Sequence, residues 1–283
     1  MHVLKTLLAE VKEFKKDSIL TPLFMLLEVA MEMIIPLMMA SIIDEGVNRG
    51  DMHHIFVIGA YMILAALIGL WAGMMGGKYG ARASAGFARN LRKSMFTNIQ
   101  TFSFANIDKY STAGLVTRLT TDVTNLQNAY QMVLRMGMRA PASLIVAMCM
   151  SFYISPRLAS VYLLAVLILA AILVFIISRV TKIFDFVFKK YDDLNASVQE
   201  NISGIRVVKA YVREDHEKEK FQKASGNIYK FLLKAERILA CNAPIMMTTI
   251  YTCILLISWM GAKMIVTSTF TTGELMSMLA YCM

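Results

Sequence analysis

Three stretches of the chain, residues 55–77, 158–178 and 238–262, contain no charged side chain and are dominated by Leu, Ile, Val, Ala and Met. An apolar run of about 17–25 residues crosses a bilayer as a helix, the one open-ended backbone form that satisfies its own hydrogen bonds in lipid. Two weaker runs join them: 19–43, interrupted by Glu28 and Glu32, and 140–154, which follows directly on Arg139. The pattern predicts spans at about 19–43, 55–77, 137–154, 158–178 and 240–262, with the start of a sixth from residue 274.

The polar stretches between the spans, 78–136 and 179–239, are too long for structureless loops in a compact protein. Their apolar residues recur at helical spacing: Phe87, Leu91, Met95, Ile99 and Phe102; then Leu119, Val123, Leu126, Tyr130 and Val133; then Leu194, Val198, Ile202, Ile205, Val208 and Val212. Spans two to five therefore continue as helices well past the lipid. An extension of about 25 residues projects roughly 37 Å. The chain reads as all-α, with two pairs of long helices that leave the membrane, turn and return. Residues 1–18 form an amphipathic helix, with Val3, Leu7, Leu8, Val11 and Phe14 on one stripe and Lys5, Lys12, Lys15 and Lys16 elsewhere. That suits a helix lying in the headgroup layer.

Charge sets the orientation. Of the 29 Lys and Arg residues, all but Arg49, Arg157 and Lys263 lie in the N-terminal tail, in 78–139 or in 179–237. Basic residues collect on the cytoplasmic side, so the N-terminus and both long stretches are expected in the cytoplasm of a multi-pass plasma-membrane protein. The net charge of +9 follows from this asymmetry and argues against nucleic acid as a partner. The four cysteines have no metal-like spacing, and neither catalytic nor metal-ligating residues stand out.

Within the spans, Glu28 and Glu32 are four residues apart, hence on one face, and a carboxylate facing lipid is expensive. They are expected to face the interior. They either attract cationic substrates or take protons, or they are hydrogen-bonded to polar groups on neighbouring helices, or Glu28 is neutral. Asn242 and Met246 in the fifth span are further candidates for a substrate cavity, since flexible thioethers suit varied shapes. Pro36, Pro141 and Pro244 lie within spans and can kink them.

At the first turn between long helices, Asp108, Ser111 and Thr112 are cap and turn formers, and Gly114 can supply the positive φ that ends a short helix. The pattern Gly114-x-x-x-Arg118-Leu119-x-x-Asp122 resembles the first cytoplasmic loop of ABC exporter transmembrane domains. The stretch Glu200-Asn201-Ile202-Ser203-Gly204-Ile205-Arg206-Val207-Val208-Lys209-Ala210-Tyr211, with Glu214 and Phe221, resembles their second loop. The likeness covers nearly the whole chain, with residues 1–18 as the elbow helix and 19–283 as the transmembrane domain.

The resemblance implies a type IV fold of six spans working as a homo- or heterodimer with a second half-transporter. Short coupling helices at the tips would dock on nucleotide-binding domains, the second one crossing to the opposite half. The first would lie at Asp108–Gly114, including Tyr110, Ser111 and Thr112. The second would lie near Ala210–Glu217, with Tyr211 as the apolar knob and Arg213, Glu214 and Asp215 as polar partners. The complete transporter would be an ATPase moving amphipathic drugs, lipids or peptides outward. ATP and Mg would bind the nucleotide-binding domain, fused or separate, because this chain has no Gly-x-x-x-x-Gly-Lys-Ser/Thr loop. Only nine residues follow Glu274, too few for a crossing, so the chain reads as truncated within its sixth span. The rival readings are a proton-coupled secondary transporter using Glu28 and Glu32, and an inactive fragment.

Overall fold

A computed structural model describes residues 2–103 and 110–282. Its elements are α1 (His2–Ala9), a 3-10 turn (Lys12–Phe14), α2 (Lys15–Ser41) running into a π-helical segment (Ile42–Val47), and α3 (Met52–Gln100). After the first tip come α4 (Thr112–Thr117), a π-helical turn (Arg118–Asp122) and α5 (Val123–Ile154). The rest comprises α6 (Pro156–Ser203), α7 (Ile205–Ala210), α8 (Glu214–Ala240), α9 (Asn242–Val266) and α10 (Thr272–Tyr281). No strand occurs among the described residues. Five helical stretches are long and apolar enough to cross a membrane: Lys12–Val47, Met52–Gln100, Thr112–Ile154, Pro156–Ser203 and Glu214–Val266.

Local chemistry sets the breaks. Asp51 caps α3 by accepting a hydrogen bond from His54 N at 3.1 Å. Pro156 opens α6 where its missing N–H is not needed, and the preceding Ser155 is extended, as a residue before proline tends to be. Pro244 has no N–H to offer the Ala240 carbonyl, and α8 ends there, with α9 starting two residues later.

The chain divides into two compact units, residues 1–159 with 260–281, and residues 160–259 with 282. In the first, α2 packs against α3, α5 and α10. Small residues bring the helices close: Met25 lies on Gly76, Thr21 on Gly80 and Phe14 on Gly86. Phe24 stacks on Tyr79 with centroids 5.6 Å apart. At the start of α2, Val11, Phe87, Ala88, Leu91 and Val123 form a buried cluster, flanked by Leu7, Phe14, Met95, Leu126 and Tyr130. So Leu7, Val11 and Phe14 of the amphipathic stripe pack on α3 and α5, while Leu8 stays exposed. In the second unit, Val187 and Ile228 are buried, and Phe186 meets Phe231 at 4.6 Å.

Candidate functional site

Two regions carry the candidate residues, and the tips of the long helices come first. Ser111 is extended and caps α4, its Oγ accepting from Gly114 N at 3.1 Å. Gly114 lies inside α4, and its φ is not in the left-handed region. Its role is closeness: a Cβ there would stand 2.9 Å from the Ser111 Oγ, so glycine lets the cap close. Tyr110 stacks on Phe102, and the Arg118 guanidinium sits 5.4 Å from its ring centroid. Arg92 of α3 donates to Leu119 O at 3.2 Å and to Thr124 Oγ1 at 3.1 Å, tying the outgoing helix to the returning one. Asp108 lies outside the described residues.

At the second tip the short helix falls on Ile205–Ala210, earlier than its expected place, and Ala210 ends it. Tyr211 and Val212 form the turn and are 75% and 82% exposed. Val212 has φ 52°, a left-handed conformation that costs a β-branched residue about 1 kcal/mol or more. Arg213 then precedes α8, whose first turn holds Glu214, Asp215 and Glu217, the sign that a helix N-terminus favours. Asn201 donates to Glu217 at 2.9 Å, fastening α6 to α8. Lys223 pairs with Glu219 at i,i+4 spacing, and Lys218 with Asp215 at i,i+3. Tyr211, Val207 and Val212 thus stand exposed among charged residues.

The second region lies near the middle of the first predicted span. Arg139 of α5 donates Nη1 to Glu28 at 2.8 Å and Nη2 to Glu32 at 3.0 Å. One guanidinium fork thus bridges both carboxylates of the i,i+4 pair. Glu28 rests on Gly73 of α3, where a Cβ would lie 3.2 Å from its carboxylate, and its Oε2 is buried without a hydrogen bond. The Glu32 side chain is 50% exposed. Sequence reading found the two carboxylates but not their partner. The available signal was Arg139, a basic residue at the very edge of an uncharged run. Asn242 and Met246 belong to the second unit, where Asn242 Oδ1 is buried without a hydrogen bond.

A further polar contact escaped the sequence. Asp44, on the π-helical segment, accepts from Gly273 N at 2.9 Å and Thr271 Oγ1 at 2.5 Å, capping α10 from another helix. Thr271 and Glu274 complete a reciprocal capping box there. Among the described residues no group of three or more His, Cys, Asp or Glu is placed to hold a metal ion.

Residues 18–283 match the family described as the ABC transporter transmembrane region. The chain belongs to this family. It is therefore an all-α, multi-pass membrane protein. An uncharacterized ABC transporter ATP-binding protein of Bacillus subtilis, YfiB, is 32% identical over 259 residues, covering 92% of this chain and 45% of the relative. An uncharacterized ABC transporter ATP-binding protein of Mycobacterium bovis is 28% identical over 279 residues, 99% of this chain and 48% of the relative. An ATP-dependent lipid A-core flippase of Hahella chejuensis is 24% identical, covering 77% of this chain and 38% of its own length. The ABC transporter chain thus spans about half the length of the curated relatives it matches.

Proposed function

We propose that this chain is the membrane-spanning half of an ATP-driven exporter that works as a dimer and exposes its cavity alternately to the two sides of the membrane. Its long helices extend into the cytoplasm, and their tips seat on nucleotide-binding domains that carry ATP and Mg. The relatives of which it covers about half are named as ATP-binding proteins, which supports such a partner. The observation that carries the reading is the second tip, where Tyr211 and Val212 stand exposed at the end of α7. An exposed apolar knob on a stiff helical pair has a mechanical use only when something grips it. Tyr211, Arg213, Glu214 and Asp215 are the proposed contacts there, and Tyr110, Ser111, Thr112 and Gly114 those at the first tip.

The Glu28–Arg139–Glu32 group marks the face that lines the pathway. A half-exposed ionic cluster at that depth does not face hydrocarbon. Substrates are amphipathic compounds, and the lipid A-core flippases among the relatives favour lipid-like ones.

The test is efflux from inverted vesicles holding the chain together with its nucleotide-binding domains. Expected is uptake that needs ATP, stops with vanadate and falls with Tyr211→Ala. Transport that survives vanadate and collapses with a protonophore would overturn it in favour of proton coupling through Glu28 and Glu32.

A further inference from the structure

Beside the ionic cluster, α5 lines a groove of about 320 Å³ formed by Met25, Asn128, Gln131, Met132, Arg135 and Met136, with Arg139 at one end. Both nitrogens at the end of the Arg139 fork are taken by Glu28 and Glu32. Arg135 is different. Its stem runs across Gly80, where a Cβ would lie 3.6 Å from Arg135 Cγ and Cδ, and its guanidinium enters no ion pair among the described residues. Gln131 takes a 3.4 Å hydrogen bond from Ser84 on its Oε1, so its amide N–H groups remain to donate. Met25 is buried at the back, while Met132 and Met136 are exposed along the rim.

From this groove we infer a binding subsite for a single-chain amphiphile with one anionic head, a phosphate or carboxylate. The inference rests on the pathway face proposed above and names what that face selects. Three arguments converge on it. The unpaired charge in the groove is positive, and a guanidinium fork matches phosphate or carboxylate oxygens. Three methionine side chains supply a deformable apolar wall for a chain of unspecified shape. Arg135 lies level with Thr21 and Gly80, just where the uncharged run of α3 ends at Lys78. A molecule straddling that boundary has a polar end and an apolar end. The volume is near the lower limit of ligand pockets, about 300–1,000 Å³, which favours one chain over two.

The carboxylates at Glu28 and Glu32 first suggest cationic cargo. Their engagement by Arg139 removes much of that attraction, and Arg135 repels a cation at the groove.

The purified chain in a neutral detergent tests this by calorimetric titration with dodecyl phosphate, dodecyltrimethylammonium or inorganic phosphate. Dodecyl phosphate is expected to bind saturably and dodecyltrimethylammonium not to. Arg135→Gln should weaken dodecyl phosphate about tenfold or more, the loss of a charge-assisted contact, and Arg135→Lys should recover part of it. Met132→Ala with Met136→Ala, leaving both arginines, should weaken it as well. Unfolding curves establish that each variant is folded, and the milder Arg135→Lys keeps the test open if Arg135→Gln is not. Unchanged affinity in folded Arg135→Gln, or tighter binding of the cationic amphiphile, overturns the inference. Inorganic phosphate binding as tightly as dodecyl phosphate also overturns it, leaving a free-anion site. No ATP is present, so failure here leaves the export reading standing, and failed ATP-driven efflux with intact binding strikes only that reading.

Discussion

The α3–α5 pair is braced along its flank: α1 and the 3-10 turn bury Val11 against Phe87, Ala88, Leu91 and Val123, with Phe14 lying on Gly86. In the α6–α8 pair, no residue from Phe188 through Asn227 is buried. Both stretches carry a helical apolar stripe, so periodicity alone does not separate them. The difference lies in what covers the stripe. The first is covered by the chain's own N-terminus; the second leaves Ile202, Ile205 and Val212 exposed and Leu194, Val198 and Val208 only half-buried. The second stripe is thus covered only in part within its own unit, and the proposed grip on a nucleotide-binding domain lies at its far end.

Core truncation gives the largest test of this contrast. Phe87→Ala should cost about 3–5 kcal/mol, since it empties a site buried between three elements. Ile202→Ala should stay within about 0.5 kcal/mol, as surface changes do. Denaturant unfolding in detergent measures both, and equal losses would erase the distinction. Next in size is function. Tyr211→Ala should lower ATP-driven transport about tenfold, or about 1.4 kcal/mol, with unchanged unfolding of the isolated chain. A matching loss of chain stability would mean that Tyr211 packs internally.

The two tips also differ in how their turns are made, and glycine substitutions probe that with opposite signs. Val212→Gly removes a left-handed β-branched residue and should stabilise the second tip by about 1 kcal/mol. Gly114→Ala pushes on Ser111 Oγ and should cost about 1 kcal/mol by spoiling the cap of α4. Hydrogen exchange at residues 205–213 and 111–117 reads the two effects. The same sign at both would show that the tips are built alike.

How much of this was legible in advance follows from range. Long helices depend on spacing within a few turns, and the sequence carries that directly. Glu28 and Glu32 also announced themselves, as two charges where none belong. Their shared partner did not, because Arg139 is more than a hundred residues away and its pairing depends on how α5 packs on α2. Asp44 capping α10 is hidden for the same reason, at a still larger separation. Gly114 serves close approach and not positive φ. A glycine near a turn signals either positive φ or close approach, and only geometry distinguishes the two. The second short helix lies before Ala210–Glu217 and not over it: Ala210, Tyr211 and Glu214 are compatible with helix, while the break at Val212 is a strained choice that propensity does not favour.

The smallest expected effect concerns the brace itself. Glu10 lies outside the spans, and its carboxyl is held below the usual Glu range mainly by the Lys12 hydrogen bond, with Ser94 and the Lys12 charge adding to it against the opposing effect of burial. A depressed carboxylate pKa means that its contribution is present above the ordinary Glu value and is lost as pH falls through the lowered one. The N-terminal brace should therefore stay seated from neutral pH down through the ordinary Glu range and loosen only below it. Spin labels at Leu8 and Thr97 would report this as a distance distribution that broadens only in acid. Glu10→Gln should abolish the pH dependence and leave the distance somewhat broadened throughout. Broadening that starts near neutral pH would show that some other group holds the brace, and that the contrast between the two helical pairs depends on more than Val11 and its neighbours.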